Sequence, residues 1–248
     1  MISKARIKFI KSLQVKKYRK EAQSFIVEGA KSVEELLKSD FELLNLFATN
    51  EFIEKNESRL KKRSIEISEV KESELDSLGA FQTNASALAI ARMKKNQVPR
   101  LDSEEYALIL DDVRDPGNLG TIIRTADWYG ITNVIASEET ADFYNPKVIS
   151  ATMGSFCRVN VFYTSLSEFL PTVTTPVYGT FLNGLNIHTL SFAKGGFIVI
   201  GNEANGISEE IEKLVTHKIT IPTFGKAESL NAGVATAIIL DNLRRSKK

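Results

Sequence analysis

The sequence predicts an α/β protein in two parts, a smaller N-terminal α/β module and a larger C-terminal one built on a mostly parallel sheet. Three observations carry this. Short apolar strand patterns alternate with amphipathic helical patterns along the 248 residues, as strand–helix–strand units do. A polar, proline-containing stretch, Lys94-Lys-Asn-Gln-Val-Pro-Arg-Leu-Asp-Ser-Glu-Glu105, interrupts the alternation with linker composition. A hydrophobic share of 43% and a charged share of 25% suit a chain that buries its own core, which excludes a disordered, collagen-like or disulfide-scaffold protein. The domains expected are therefore residues 1–93, a linker over 94–105, and residues 106–248.

In the first part, residues 4–14 read as a basic helix and Ser24-Phe-Ile-Val-Glu28 as a strand closed by Gly29. Residues 30–38 place Val33, Leu36 and Leu37 on one helical face. Leu43–Ala48 is a strand, 51–63 an exposed helix, Ile65–Ser68 a short alternating strand, Glu72–Leu78 a helix ending at Gly79, and Ala87–Met93 a last strand. In the second part, Tyr106–Val113 is a buried strand, Asn118–Tyr129 a helix stopped by Gly130, and Ile131–Ala136 the next strand. Further strands fall at 156–163, 177–182, 197–201 and 217–222, with helices at 145–153, 166–173 and 208–215. The final helix, from Leu230 to Arg245, is apolar on most sides, which predicts burial in a core or a subunit interface.

The single Cys157 has no partner for an internal disulfide. No apolar run approaches the ~20 residues of a spanning helix, and Met1-Ile-Ser-Lys-Ala-Arg6 lacks the apolar stretch of a signal peptide. A cytoplasmic protein without membrane association is expected. Its net charge of +1 hides an asymmetry: residues 1–31 hold nine basic and two acidic side chains, a net +7, against −6 for the other 217. A polyanion would be drawn to that end, where Phe9 and Tyr18 could stack on unpaired bases.

Three clusters sit where strands give way to loops. Asp111-Asp-Val-Arg-Asp-Pro-Gly-Asn-Leu-Gly-Thr-Ile-Ile-Arg124 leaves a strand and enters a helix at Asn118, a good N-cap type. On that helix Arg124 projects about 140° from the core residue Leu119, so it faces outward, either solvated beside Asp127 or toward a ligand. Gly196-Phe-Ile-Val-Ile-Gly-Asn-Glu-Ala-Asn-Gly-Ile-Ser208 ends a strand at Gly201 and caps a helix with Ser208. It lacks the fingerprints of dinucleotide and P-loop sites. Ile219-Thr-Ile-Pro-Thr-Phe-Gly-Lys-Ala-Glu-Ser-Leu-Asn-Ala-Gly233 leads into the last helix. Each alone also fits an ordinary strand–loop–helix corner.

Together, in this order, they resemble the three motifs of the SpoU/TrmH family of RNA 2′-O-ribose methyltransferases: Asn118/Gly120/Arg124, Gly201/Glu203/Gly206, and Ile221/Pro222 with Ser229/Leu230/Asn231. Asn145-Pro-Lys-Val and Ala151-Thr-Met-Gly-Ser155 are similar to the segment between the first two motifs. Residues 6–29 resemble the start of a substrate-binding domain similar to ribosomal protein L30e. One departure is Ala232-Gly233, where the family usually has Val-Ser, which removes a hydroxyl near the site.

The resemblance implies a C-terminal domain tied in a deep trefoil knot and a homodimer joined through it. It implies S-adenosylmethionine as cofactor, held by Gly201, Ile221 and Leu230, with Thr180 and Asn202 as neighbours, and no metal. Methyl transfer to a ribose 2′-hydroxyl would involve Arg124, Asn118, Glu203, Ser229 and Asn231. Arg124 would take part in a phosphate-bridged proton path or simply orient the 2′-oxygen, because an arginine stays protonated; Asn118 would orient Arg124 or the ribose; Glu203 would bind substrate or fix its loop; Ser229 and Asn231 would shape the pocket floor. Arg6, Lys8, Lys16, Lys17 and Arg19 would grip RNA phosphates. Ribosomal RNA is the preferred substrate. A transfer-RNA methyltransferase and a catalytically silent RNA-binding assembly factor are the alternatives.

Overall fold

A computed structural model describes residues 2–79 and 86–245. The chain divides into two compact units: Met1–Lys95 together with Asp142–Cys157, and Asn96–Ala141 together with Arg158–Lys248. The first unit opens with α1 (Lys4–Ser12), capped by Ser3, whose hydroxyl accepts from the Arg6 amide. The sequence predicts one helix here, but Leu13–Val15 turns the chain into a second, α2 (Lys16–Ala22). That helix has no apolar stripe to announce it. Then come β1 (Ser24–Glu28), α3 (Ala30–Lys38) and β2 (Leu43–Ala48) where expected. The charged run breaks into α4 (Asn50–Lys55) and α5 (Glu57–Leu60) at the buried Asn56, whose Nδ2 donates to the Phe52 carbonyl. Next are β3 (Glu66–Glu69), α6 (Glu72–Leu78) and β4 (Ala87–Arg92).

These strands form one sheet in the order β1-β4-β2-β3, antiparallel except for the β2/β3 pair. Ile10 and Leu13 pack with Ile26, Phe47, Leu75, Leu78 and Leu88 on one face of it.

The second unit begins with β5 (Tyr106–Leu110), α7 (Pro116–Trp128) and β6 (Asn133–Ala136). The chain then runs through residues 142–157, including α8 (Pro146–Ala151), which belong to the first unit. The reason is aromatic packing: Phe25 meets Tyr144 at 4.6 Å and Phe156 at 6.1 Å between ring centres. Burial pushes the Tyr144 hydroxyl up to a pKa of about 12. The remaining elements are β7 (Asn160–Tyr163), α9 (Leu166–Phe169), β8 (Val177–Asn186), β9 (Gly196–Ile200), α10 (Glu209–Glu212), β10 (His217–Thr220) and α11 (Ala232–Arg245). The strand expected over 156–163 starts only at Asn160, because Ser155–Cys157 forms a tight 3-10 turn.

All six strands of the second sheet are parallel, in the order β10-β8-β9-β5-β6-β7. From β5 the chain turns toward β6; from β9 it turns the other way, toward β10. The C-terminal ends of β5 and β9 therefore flank a topological switch point, where open parallel sheets hold ligands. Among the described residues no helix is long and apolar enough to cross a membrane.

Arg19 corrects an expectation. Placed in the sequence among RNA-gripping cations, it is 2% exposed. It donates to the carbonyls of Leu13 and Gln14 and pairs with Asp142 at 2.5 Å. A buried arginine stripped of its carboxylate is costly, so Asp142→Ala is expected to destabilise the protein by about 3 kcal/mol or more. A denaturation midpoint equal to wild type would refute that.

Candidate active site

Each motif lies in a loop that leaves the C-terminal end of a parallel strand: β5 for the first, β9 for the second, β10 for the third. A single hydrogen-bond chain joins them. Asn231 Nδ2 donates to Asn118 Oδ1 at 2.7 Å, and Asn118 Nδ2 donates to Glu203 Oε1 at 2.8 Å. Both ends of the chain fix its polarity. An ionised carboxylate only accepts, so the Asn118 amide must turn its nitrogen to Glu203. At the other end Asn231 caps α11, its Oδ1 accepting from the amides of Gly233 and Val234, which leaves its nitrogen for Asn118.

The sequence reading makes Asn118 the cap of the first-motif helix. The cap is instead Asp115, whose carboxylate accepts from the Asn118 amide at 2.8 Å, with Pro116 opening the helix. Asp followed by Pro is a legible helix start, and it shifts Asn118 into the first turn, where its side chain serves Glu203 and Asn231 instead of capping.

Aspartates that the sequence reading passed over hold the loops. Asp111 is buried and accepts from the Ser208 amide at 2.7 Å, tying β5 to the second-motif loop. Asp112 takes a left-handed backbone, φ 60°, and its carbonyl accepts from Asn202 Nδ2 at 2.8 Å. Asn202 Oδ1 accepts from the Ala204 and Asn205 amides, so this side chain, expected beside the cofactor, is occupied in closing the loop. Its backbone exchanges bonds with Gly206, φ 70°. A Cβ on Gly201 would lie 2.3 Å from the Gly206 carbonyl carbon, so only glycine permits this approach. Outside this frame Arg114 is exposed and paired to Asp112 at 2.6 Å, a bond that raises its pKa.

The helices α7 and α11 run side by side and parallel. Their N-termini meet through Asn118 and Asn231, and at the far end Arg244 donates to the Tyr129 and Gly130 carbonyls. Gly233, the departure from the family pattern, has a packing reason: a Cβ there would fall 2.8 Å from Thr121 Cγ2. Arg124 lies on the exposed side of α7. Its sequence neighbour Asp127 is taken by Arg158, with contacts of 2.8 to 3.1 Å. Among the described residues, no hydrogen bond or ion pair engages the Arg124 guanidinium. Asn118 does not hold it either; its two bonds go to Glu203 and Asn231.

Ser229 and Leu230 are exposed in the loop before α11, and Ile221 and Thr180 are half-buried; none of the four joins the chain of amides. In chemical type Gly201, Ile221 and Leu230 suit the adenosyl part of S-adenosylmethionine: one sits at a closed backbone turn and the others are apolar, with Leu230 left 48% exposed. His188 bonds Asn242 near the far end of α11, and His217 starts β10, at the end of that strand opposite the third motif. Among the described residues no three His, Cys, Asp or Glu side chains gather as a metal site would require. In the first unit, Arg6 pairs with Glu66 at 2.6 Å and holds that carboxyl below its ordinary pKa range. Lys17 makes only a loose 3.9 Å contact with Glu21, while Lys8 and Lys16 are exposed.

These features meet in one class of protein, a parallel-sheet methyltransferase with a separate substrate-binding part. The SpoU rRNA Methylase family model matches residues 105–241, and the model of an MRM3-like substrate binding domain matches residues 4–89. The chain belongs to the SpoU rRNA methylase family, with its α/β-knot fold and its use of S-adenosylmethionine. Among its relatives, 23S rRNA (guanosine(2553)-2'-O)-methyltransferase RlmP of Bacillus subtilis is 30% identical over 96% of both chains. The AdoMet-bound rRNA methyltransferase from Sinorhizobium meliloti superposes with a TM-score of 0.86 at 29% identity, over 99% of this chain and 96% of that one. The SpoU methyltransferase AviRb from Streptomyces viridochromogenes shares the fold, with a TM-score of 0.88 at 23% identity over 99% and 98%.

The amide chain is testable through charge. Asn118→Asp sets a second carboxylate against Glu203, which raises the pKa of one of the pair. Methyl transfer is expected to fall roughly tenfold or more at about pH 8. It should recover in part toward about pH 6, as a shared proton restores the bond. A loss that does not change with pH would remove Asn118 from the role of holding Glu203.

Proposed function

We propose that this protein methylates a ribose 2′-hydroxyl in ribosomal RNA, acting in the cytoplasm. The observation that carries the reading is the Asn231–Asn118–Glu203 chain at the start of α7, with Arg124 exposed further along that helix and, among the described residues, without a hydrogen bond or ion pair. An unpaired arginine aimed outward suits an oxygen or phosphate that arrives with the substrate. When bound, S-adenosylmethionine supplies an electrophilic methyl group that passes to the 2′-oxygen, leaving S-adenosylhomocysteine and a proton. Arg124 donates hydrogen bonds to orient that oxygen and stays protonated throughout. Asn118 holds the Glu203 and Asn231 loops in register around it. Gly201, Ile221 and Leu230 line the adenosyl side, with Thr180 in β8 just past its last pairing with β9 and Ser229 on the substrate side.

The first domain reads the RNA. Arg6, Lys8, Lys16 and Lys17 supply the phosphate grip; Phe9 and Tyr18, 41% and 45% exposed, lie among them. The protein pairs with a second copy through its C-terminal part, where Leu182, Leu185, Phe224 and Val234 leave apolar surface open to water.

Arg124→Ala is expected to bind S-adenosylmethionine as tightly as wild type by calorimetry and to lose methyl transfer about a hundredfold; near-normal turnover would refute the assigned role. Replacing Lys8, Lys16 and Lys17 together by alanine is expected to weaken RNA binding and flatten its log–log salt slope by roughly two. An unchanged slope would place the grip elsewhere.

A further inference from the structure

The chain's only tryptophan, Trp128, is 84% exposed. An indole is highly buried on average, and this exposed one stands four residues after Arg124 on α7. Residues four apart share a helix face, about 6 Å apart along the axis. Thr121, Arg124 and Trp128 therefore form one exposed stripe that starts beside Asn118.

The charge around the indole is one-sided. Asp127 is held by Arg158, and Asp241, at the end of α11, by Arg245. Both carboxylates thus have cationic partners, while among the described residues no carboxylate pairs with Arg124 in the stripe and Arg244 is spent on backbone carbonyls. A flat aromatic face beside a free arginine, with its acids masked, is how proteins stack unpaired bases while holding the strand's phosphates. The ~6 Å step from Arg124 to Trp128 is one to two nucleotide spacings along a strand.

From this stripe we infer that Trp128 is a stacking platform for a base of the substrate RNA next to the nucleotide presented to Arg124. The inference rests on the methyltransferase reading above and adds a base contact to it. It makes Trp128 a substrate-binding residue that discriminates single-stranded from paired flanks.

Because no other tryptophan contributes, emission excited at the red edge, where the six tyrosines absorb little, reports on this side chain. Titration with a short uridine oligonucleotide is expected to quench the emission in step with binding measured by anisotropy of the labelled oligonucleotide. Trp128→Ala is expected to raise KM for ribosomal RNA roughly tenfold, leaving S-adenosylmethionine affinity and kcat near wild type. Trp128→Phe is expected to restore most of the loss. The inference is overturned if the oligonucleotide binds without quenching, or if Trp128→Ala leaves KM unchanged. It is equally overturned if emission follows protein dilution and ignores RNA, which would give the indole to a second copy of the chain. Failure of the wild-type protein to bind S-adenosylmethionine or methylate RNA would instead strike the reading beneath it.

Discussion

The amide of Asn118 is held from both sides, and the strand ends are arranged to keep it there. Its partners lie 85 and 113 residues further along the chain, so the three groups meet only because parallel strands bring their C-terminal ends to one edge. The net stability of two such exposed bonds is small, on the order of 1 kcal/mol each. Their value is geometric. A carboxylate at one end and a helix cap at the other leave each amide a single orientation, and three loops without regular structure acquire a common register. The aspartates beneath serve the same frame: Asp111 and Asp112 tie the first-motif loop to the second, and Asp115 starts α7 at the residue that sets the rotation of Asn118.

Much of this was legible in the sequence, and the unread part shares one cause. The parallel second sheet, the motif loops at strand ends and the outward face of Arg124 followed from periodicity and helix geometry. The side-chain contacts left unread were those whose partners are distant. Arg19 looked like its neighbours Lys16 and Lys17, yet its partner Asp142 is 123 residues away. Asn202 looked available for a ligand until Asp112, 90 residues back, claimed it. Local signals were missed as well. α2 carries no apolar stripe, and the Asp-Pro start of α7 was outweighed by the N-cap habit of asparagine. Gly233 looked like a lost hydroxyl; against Thr121 it is a matter of space between two parallel helices.

The same distant pairing decides which charges are free. Arg19 and Arg63 are committed to carbonyls, and Arg158 is committed to Asp127. Arg124 is left without such a commitment, as Lys8 and Lys16 are in the first unit. Formal charge by segment finds the basic end of the chain, but only the partners show which cations remain for an anion. A surface ion pair is weak, so its more important effect here is to remove a carboxylate that would compete for the charge beside it.

The contribution of residues 142–157 to the first unit bears on inheritance. The chain passes between its two units at 95/96, 141/142 and 157/158, so no single cut in the linker frees one from the other. A substrate-binding module exchanged between relatives by recombination at that linker would arrive without the segment that supplies Tyr144, Phe156 and the partner of Arg19. An exchange that keeps these contacts must carry two stretches of sequence at once.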